Sequence, residues 1–222
     1  MQKMLQRIIC LILTLLFATS VTSASSVLSK LSLNLNAAGI FPMGGQYTQI
    51  TGFTDVVKFG LGLGASLRYE VSENFVLDGS YRYTWLPVKD DQKPFAYKHM
   101  SPAFVLSMAM LNGSFFLRSD YRIEPYLTLG CGLCPWRFSE DGPTGKTWEA
   151  PYNEAQPFSK TSFGLNAGLG LEGMITSHIS ALVEVKYYYV FVKDVEKFKM
   201  QDFTNQHFVG INIGISYRLG KE

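Results

Sequence analysis

From residue 58 to residue 85 the chain reads in pairs. Phe59, Leu61, Leu63, Ala65, Leu67, Tyr69 and Val71 are apolar, and Lys58, Gly60, Gly62, Gly64, Ser66, Arg68 and Glu70 separate them. After Ser72-Glu73-Asn74 the alternation resumes: Phe75, Leu77, Tyr81, Tyr83 and Trp85 against Val76, Asp78, Ser80, Arg82 and Thr84. Successive side chains on a strand point to opposite faces, so each arm has one apolar and one polar face. The short turn between them predicts an antiparallel hairpin. Each arm exceeds the usual strand of about 5–6 residues and suits the roughly 9–11 residues of a tilted strand crossing a bilayer.

The same period predicts six more strands. The first carries Leu31, Leu33, Leu35 and Ala37 and ends near Ile40. The fourth runs from about His99 to Leu111, with bulky Met100, Phe104, Leu106, Met108 and Met110 at even positions and smaller Ser101, Ala103, Ser107 and Ala109 at odd ones. Its odd face is read as the lumen, and residues 112–123 as a turn region. The fifth spans about 124–135, the sixth carries Phe163, Leu165, Leu169 and Leu171, the seventh Ile179 to Phe191, and the eighth Val209 to Leu219. Connections alternate between short turns and long polar loops at 41–57, 86–98, 136–160 and 192–206. An even-numbered antiparallel meander can close on itself and leave no edge. The predicted fold is therefore all-β: an eight-stranded antiparallel up-and-down transmembrane β-barrel, with short turns on the periplasmic side and long loops outside. Aromatic residues near strand ends on the apolar face, such as Phe59, Tyr69, Phe75, Trp85 and Tyr217, match paired interfacial girdles.

Composition sharpens this picture. Only 17% of the 222 residues are charged, below the roughly 25% of soluble domains. The 16 Phe and 12 Tyr favour strands over helices. Lys3 and Arg7, the apolar run 8–18 and the small residues Thr22-Ser23-Ala24 form a secretory signal, with cleavage expected after Ala24. Residues 1–24 are thus a signal peptide and 25–222 the barrel domain. Removing Lys3 and Arg7 takes the net charge from +2 to zero, so nothing supports nucleic-acid binding. Cys131 and Cys134 form a C-x-x-C inside a strand pattern, where residues three apart face opposite sides and cannot bridge. No cofactor or metal site is expected.

The signal, the run Glu124-Pro125-Tyr126-Leu127-Thr128-Leu129-Gly130-Cys131-Gly132 and the ending Gly210-Ile211-Asn212-Ile213-Gly214-Ile215-Ser216-Tyr217-Arg218-Leu219 resemble the small eight-stranded outer-membrane barrels of the OmpA-transmembrane, OmpX, OmpW and opacity-protein type. Leu219 stands where those proteins carry a terminal aromatic. The resemblance implies the bacterial cell outer membrane as location. The implied partners are outer-membrane lipid and lipopolysaccharide, the barrel-assembly machinery with periplasmic chaperones, and a host or surface ligand met through the loops.

Three patterns carry candidate chemistry. Gly142-Pro143-Thr144-Gly145-Lys146-Thr147 imitates the end of a phosphate loop, but Glu140 occupies the first glycine position and no strand-to-helix context surrounds it. His99-x-Ser101 is similar to the catalytic pair of outer-membrane lipid A deacylases, yet Pro102 follows and the pair falls on the face read as lumen. The third pattern is a constellation of eight charges opposite the apolar face: Arg68, Glu70, Asp78, Arg82, Glu172, Glu184, Lys186 and Arg218. Counting about Glu73 sets Arg68 opposite Asp78, and counting about Thr176 sets Glu172 opposite Ser180. Four acids and four bases converging on a narrow lumen predict a paired network that plugs it. The expected function is non-enzymatic, a structural or surface-interaction role through the loops. A narrow channel for small or apolar solutes is the alternative, and an outer-membrane lipid-modifying enzyme ranks third.

Overall fold

The computed structural model describes residues 29–48, 50–92, 99–117, 122–150, 153–199 and 203–220. The expected signal peptide, residues 1–24, lies outside them. Ten strands form in chain order: β1 (Leu31–Gly44), β2 (Gly60–Ser72), β3 (Phe75–Pro87), β4 (Ala103–Phe116), β5 (Ile123–Ser139), β6 (Glu149–Ala150), β7 (Asn153–Pro157), β8 (Ser159–Met174), β9 (Ile179–Val190) and β10 (Gln206–Arg218). Eight of them close into an antiparallel barrel in the order β1-β10-β9-β8-β5-β4-β3-β2, and β6 and β7 pair as a separate ribbon. Among the described residues two single-turn α-helices, α1 (Phe53–Val56) and α2 (Val195–Phe198), and a 3-10 turn at Asp90–Gln92 lie in the long connections. No helix among the described residues is long and apolar enough to cross a membrane. Crossing falls to the strands.

The alternation decides which way the wall faces. On β2, Leu61, Leu63 and Leu67 are exposed while Gly60, Gly62 and Ser66 are buried. The same holds around the ring, with Leu35, Leu129, Leu169, Ile213 and Ile215 all at 58–68% exposure. A continuous belt of exposed leucine and isoleucine is untenable in water and is what a lipid-facing wall requires. A soluble, lipocalin-like barrel would turn these residues inward.

Several boundaries and one face differ from the sequence reading: β1 runs on to Gly44, β4 starts at Ala103 rather than near His99, and β5 runs on to Ser139. The span 112–123 is not all turn: β4 continues through Phe116 and β5 starts at Ile123. The register Phe116↔Tyr126 extends the ladder across it. The faces of β4 are also reversed. Phe104, Leu106, Met108 and Met110 are buried inside the barrel, and Ala109 and Leu111 point outward. Their bulk suggested lipid, but the register Arg82↔Met108 and Met110↔Gly132 fixes them on the same face as the polar positions of β3 and β5. In a pleated sheet, paired residues share a face whatever their chemistry.

The interior is consequently layered. Its turn-side and middle levels carry the charged and amide side chains, interrupted by a small apolar cluster of Val76, Phe116 and Tyr126 and by Met108 and Met110. Its loop-side level is a cluster that joins barrel residues such as Phe104, Trp136 and Phe208 to Phe53 of α1, Phe158 after β7, Phe198 of α2 and Phe203. The long loops expected to be displayed as contact surface therefore send part of their length down into the barrel mouth.

Candidate functional site: the barrel interior

Each charge singled out in the sequence occupies the polar half of the interior or its rim. Arg68 stands directly opposite Asp78 on the β2–β3 ladder. Its guanidinium reaches further: Nη2 lies 2.7 Å from Glu172 Oε2 on β8, and Nη1 donates to Ser216 Oγ at 3.5 Å. Asp78 instead accepts from Asn112 Nδ2 at 2.7 Å. The expected opposition of Glu172 and Ser180 is displaced, since Glu172 pairs with Leu182 and Met174 with Ser180 in the β8–β9 ladder. The turn is not centred on Thr176. The Ser180 hydroxyl still donates to Glu172 Oε1 along the diagonal. Arg218 and Glu70 approach to 3.6 Å at the turn-side rim.

At mid-barrel, Glu184 Oε1 meets Lys186 Nζ at 3.1 Å, two residues along the same strand. Glu184 also accepts from Asn212 Nδ2 at 3.1 Å and from the Tyr126 hydroxyl at 3.2 Å. Among the described residues Arg82 meets no carboxylate. It donates to Asn36 Oδ1 at 2.8 Å and to the Tyr188 hydroxyl, whose ring its guanidinium also faces at 5.8 Å. Both terminal nitrogens of Arg82 are hydrogen-bonded in this way while its buried Nε has no hydrogen-bond partner among the described residues, and such bonds offset part of the desolvation of a buried charge.

Residues not singled out in the sequence complete this layer. Asn34, Asn36, Asn112, Asn166 and Asn212 bring carboxamides in from β1, β4, β8 and β10. Asn36 donates to Asn34 at 2.9 Å and Asn166 to Asn112 at 2.8 Å. An amide both donates and accepts, so it links charges that are not neighbours. The recurring Asn at polar-face positions was the available signal. Tyr126 fits only because its ladder partner is Gly170, where a side-chain carbon would overlap the tyrosine ring. A small cavity of about 50 Å³ lies beside Asn166 and Asn212, and another of about 60 Å³ at the turn-side mouth.

The loop-side layer is packed by aromatic rings. Phe138 stacks on Phe158 with centroids 4.9 Å apart and on Trp148 at 5.4 Å. Trp136 meets Phe158 edge-on at 5.5 Å, and its Nε1 donates to Ser162 Oγ at 3.0 Å. The alternation that places Thr128, Gly130 and Gly132 on the polar face continues in phase to Trp136 and Phe138. Their inward direction was therefore readable. The arrival of Phe158, Phe198 and Phe203 was not.

The remaining candidates stand apart. His99 and Ser101 lie in the bend before β4, both exposed. Ser101 is tied through its backbone to the turn across from it: its N–H donates to Asp141 Oδ1 at 3.1 Å and its carbonyl accepts from Gly142 N. Odd positions of β4 such as Ala109, Leu111 and Phe115 face outward, so the odd parity of His99 and Ser101 does not place the pair in the lumen, where the sequence reading set it. Cys131 is exposed, Cys134 is buried, and both are free thiols. No group of three or more His, Cys, Asp or Glu that could hold a metal ion occurs among the described residues.

Comparison with known proteins agrees with this architecture. The family described as outer membrane protein beta-barrel domain matches residues 11–218. The crystal structure of Neisserial surface protein A superposes with a TM-score of 0.60 at 15% identity, covering 86% of this chain and 97% of that one. OprG from Pseudomonas aeruginosa gives 0.48 at 15% identity over 86% and 96%, and Ail, the attachment invasion locus protein of Yersinia pestis, 0.44 at 16% over 84% and 96%. At these identities the likeness concerns the fold. No curated protein matches the chain.

Proposed function

We propose, from the premise that this chain belongs to the outer membrane protein β-barrel domain family, that it is a sealed integral barrel of the bacterial outer membrane. Its role on this reading is structural and surface-interacting rather than conductive or catalytic. One observation carries the proposal: the loop-side half of the lumen is filled by Trp136, Phe138, Phe158, Phe198 and Phe203. An eight-stranded barrel is only wide enough for its own side chains, and here loop residues fill what the wall leaves. Ion pairs and amides fill the level below. The residues left for contact with other surfaces carry both signs of charge, among them Lys58, Asp91, Asp141, Lys146, Glu149 and Lys199.

Single-channel recording in planar bilayers tests the seal. The wild type should show no steady conductance, and replacing Trp136 and Phe158 together by Ala should create openings. Large, stable currents from the wild type, unchanged by that pair, would instead favour a narrow channel.

A further inference from the structure

We infer that Met108, Met110 and Cys134, inside the barrel between the charged level and the aromatic one, form a binding site for one soft monovalent metal ion of the copper(I) class. All three side chains are buried. The Cys134 thiol donates to Met110 Sδ at 3.9 Å. The β4–β5 pairs Leu106↔Trp136 and Ala109↔Leu133 set Met108 across from Cys134 on the same inward face, where opposed residues have β-carbons about 4.5–5.5 Å apart. One thiol and two thioethers thus converge, and these are the ligands that soft ions select. Two paired glycines make room for the sulfurs: Gly132 lies between Met110 on β4 and Gly164 on β8. A side-chain carbon at Gly164 would stand 2.5 Å from Cys134 Sγ, so the close approach of this sulfur requires glycine.

The geometry suits an ion in place of the thiol proton. At about 2.3 Å per metal–sulfur bond, the length for a thiolate on zinc, two sulfurs 3.9 Å apart subtend roughly 115° at the metal. That angle lies between the tetrahedral and trigonal values, so neither sulfur has to move far. On binding, the S–H bond breaks, a sulfur–metal bond forms and the proton leaves to solvent. One thiolate and one monovalent cation cancel, and the thioethers are neutral, so the loaded site adds no net charge to the interior. A divalent ion would leave one charge uncompensated beside Arg82, which faces Met108 in the β3–β4 ladder, and burying such a charge is costly. Cys134 is not consumed by Cys131, which lies on the outward face and out of bridging reach. The cavity lined by Met108 and Met110 and the one at the turn-side mouth both reach Arg68, which marks the way in. The ladder also skips from Leu106↔Trp136 to Ala109↔Leu133, where Pro135 has no N–H to give. An ion shared by Met108, Met110 and Cys134 ties β4 to β5 where their backbone bonding lapses.

Native mass spectrometry of the full chain, folded anaerobically in nonionic detergent with copper(I) and then washed with a copper(I) chelator, tests this. The background carries Cys10→Ser, which leaves Cys131 and Cys134 as the only thiols. One copper should be retained per chain with the loss of one proton, and x-ray absorption should show three sulfurs at about 2.3 Å. Zinc(II) offered in the same way should not be retained. Cys134→Ser should abolish retention, and Cys131→Ser should leave it unchanged. Met110→Leu should weaken it at least about tenfold, the lower end of what losing even a supporting group costs a metal site. Gel mobility with and without boiling verifies that each variant is folded. If Cys134→Ser is not, Met108→Leu with Met110→Leu, which nearly conserves volume, carries the test and should abolish retention. No copper on the folded parent chain, or equal retention of zinc(II), overturns the inference. Unchanged retention in Cys134→Ser or in the double methionine variant also overturns it, as does loss in Cys131→Ser, since the exposed thiol would then hold the ion.

Discussion

Arg68 on β2 and Glu172 on β8 belong to strands four places apart in a ring of eight, yet their side chains meet at 2.7 Å. The ion pair spans the barrel axis. Arg82 on β3 and Tyr188 on β9 make a second contact of the same kind one level away. Cross-axis contacts tie together strands that share no ladder.

The first prediction concerns that bridge. The side chains are 11% and 15% exposed, so removing one strands a largely desolvated charge. Arg68→Ala should destabilise the folded barrel by about 3 kcal/mol, and Arg68→Ala with Glu172→Ala by less than the sum of the two. Urea unfolding in vesicles measures both, and strict additivity would show that the pair is uncoupled.

The lipid-facing wall gives a second. Leu63 is 60% exposed at mid-strand, and Arg on that face costs about 2–4 kcal/mol at the bilayer centre. Leu63→Arg should reduce insertion into vesicles, whereas Leu63→Ile should insert like the wild type. Equal insertion of all three would contradict the orientation of β2.

A third tests the aromatic layer. Phe158 is fully buried and touches Tyr47, Trp136, Phe138, Phe198 and Phe203. Phe158→Ala should cost about 3–5 kcal/mol and raise protease cleavage in the loops, with the barrel core still protected. Unchanged loop cleavage would mean that the ring does not hold them down.

The fourth concerns the polar layer. Gly170 faces the Tyr126 ring so closely that any β-carbon overlaps it. Gly170→Val should slow folding into vesicles, and Tyr126→Ala in the same chain should rescue it. Absence of rescue would place the defect elsewhere.

The fifth is a pH effect outside the membrane. The Asp194 side chain accepts from Lys197 N at 3.0 Å, capping α2, and approaches Lys160 at 3.3 Å. The backbone hydrogen bond, with help from Lys160, holds its carboxyl below the ordinary carboxylate range. A depressed folded-state value gives stabilisation that is full above the unfolded-state value, about 3.9, and lost as pH falls through the folded one. Hydrogen exchange in residues 192–205 should therefore accelerate on acidification below about pH 4, and Asp194→Asn should remove that dependence. The same acid response in Asp194→Asn would assign it to another group.

Sequence alone determined the barrel. A strict period of two, short turns and an even strand number leave few other ways to satisfy backbone hydrogen bonds in lipid. The Arg68↔Asp78 register followed from counting about one turn, because hairpin pairing is local. The set of inward charges followed from the same parity. What parity could not supply was the identity of partners, since residues brought together by closure are distant in sequence: Arg68 and Glu172 are 104 positions apart. Nor could it separate lipid from an apolar lumen on β4, where Phe104 and Met108 are equally suited to both. Hydrophobicity reports exclusion from water and says nothing of which dry environment excludes it. Only the ladder between β3 and β4 turned those residues inward, and only the folded loops brought Phe158, Phe198 and Phe203 down to meet them.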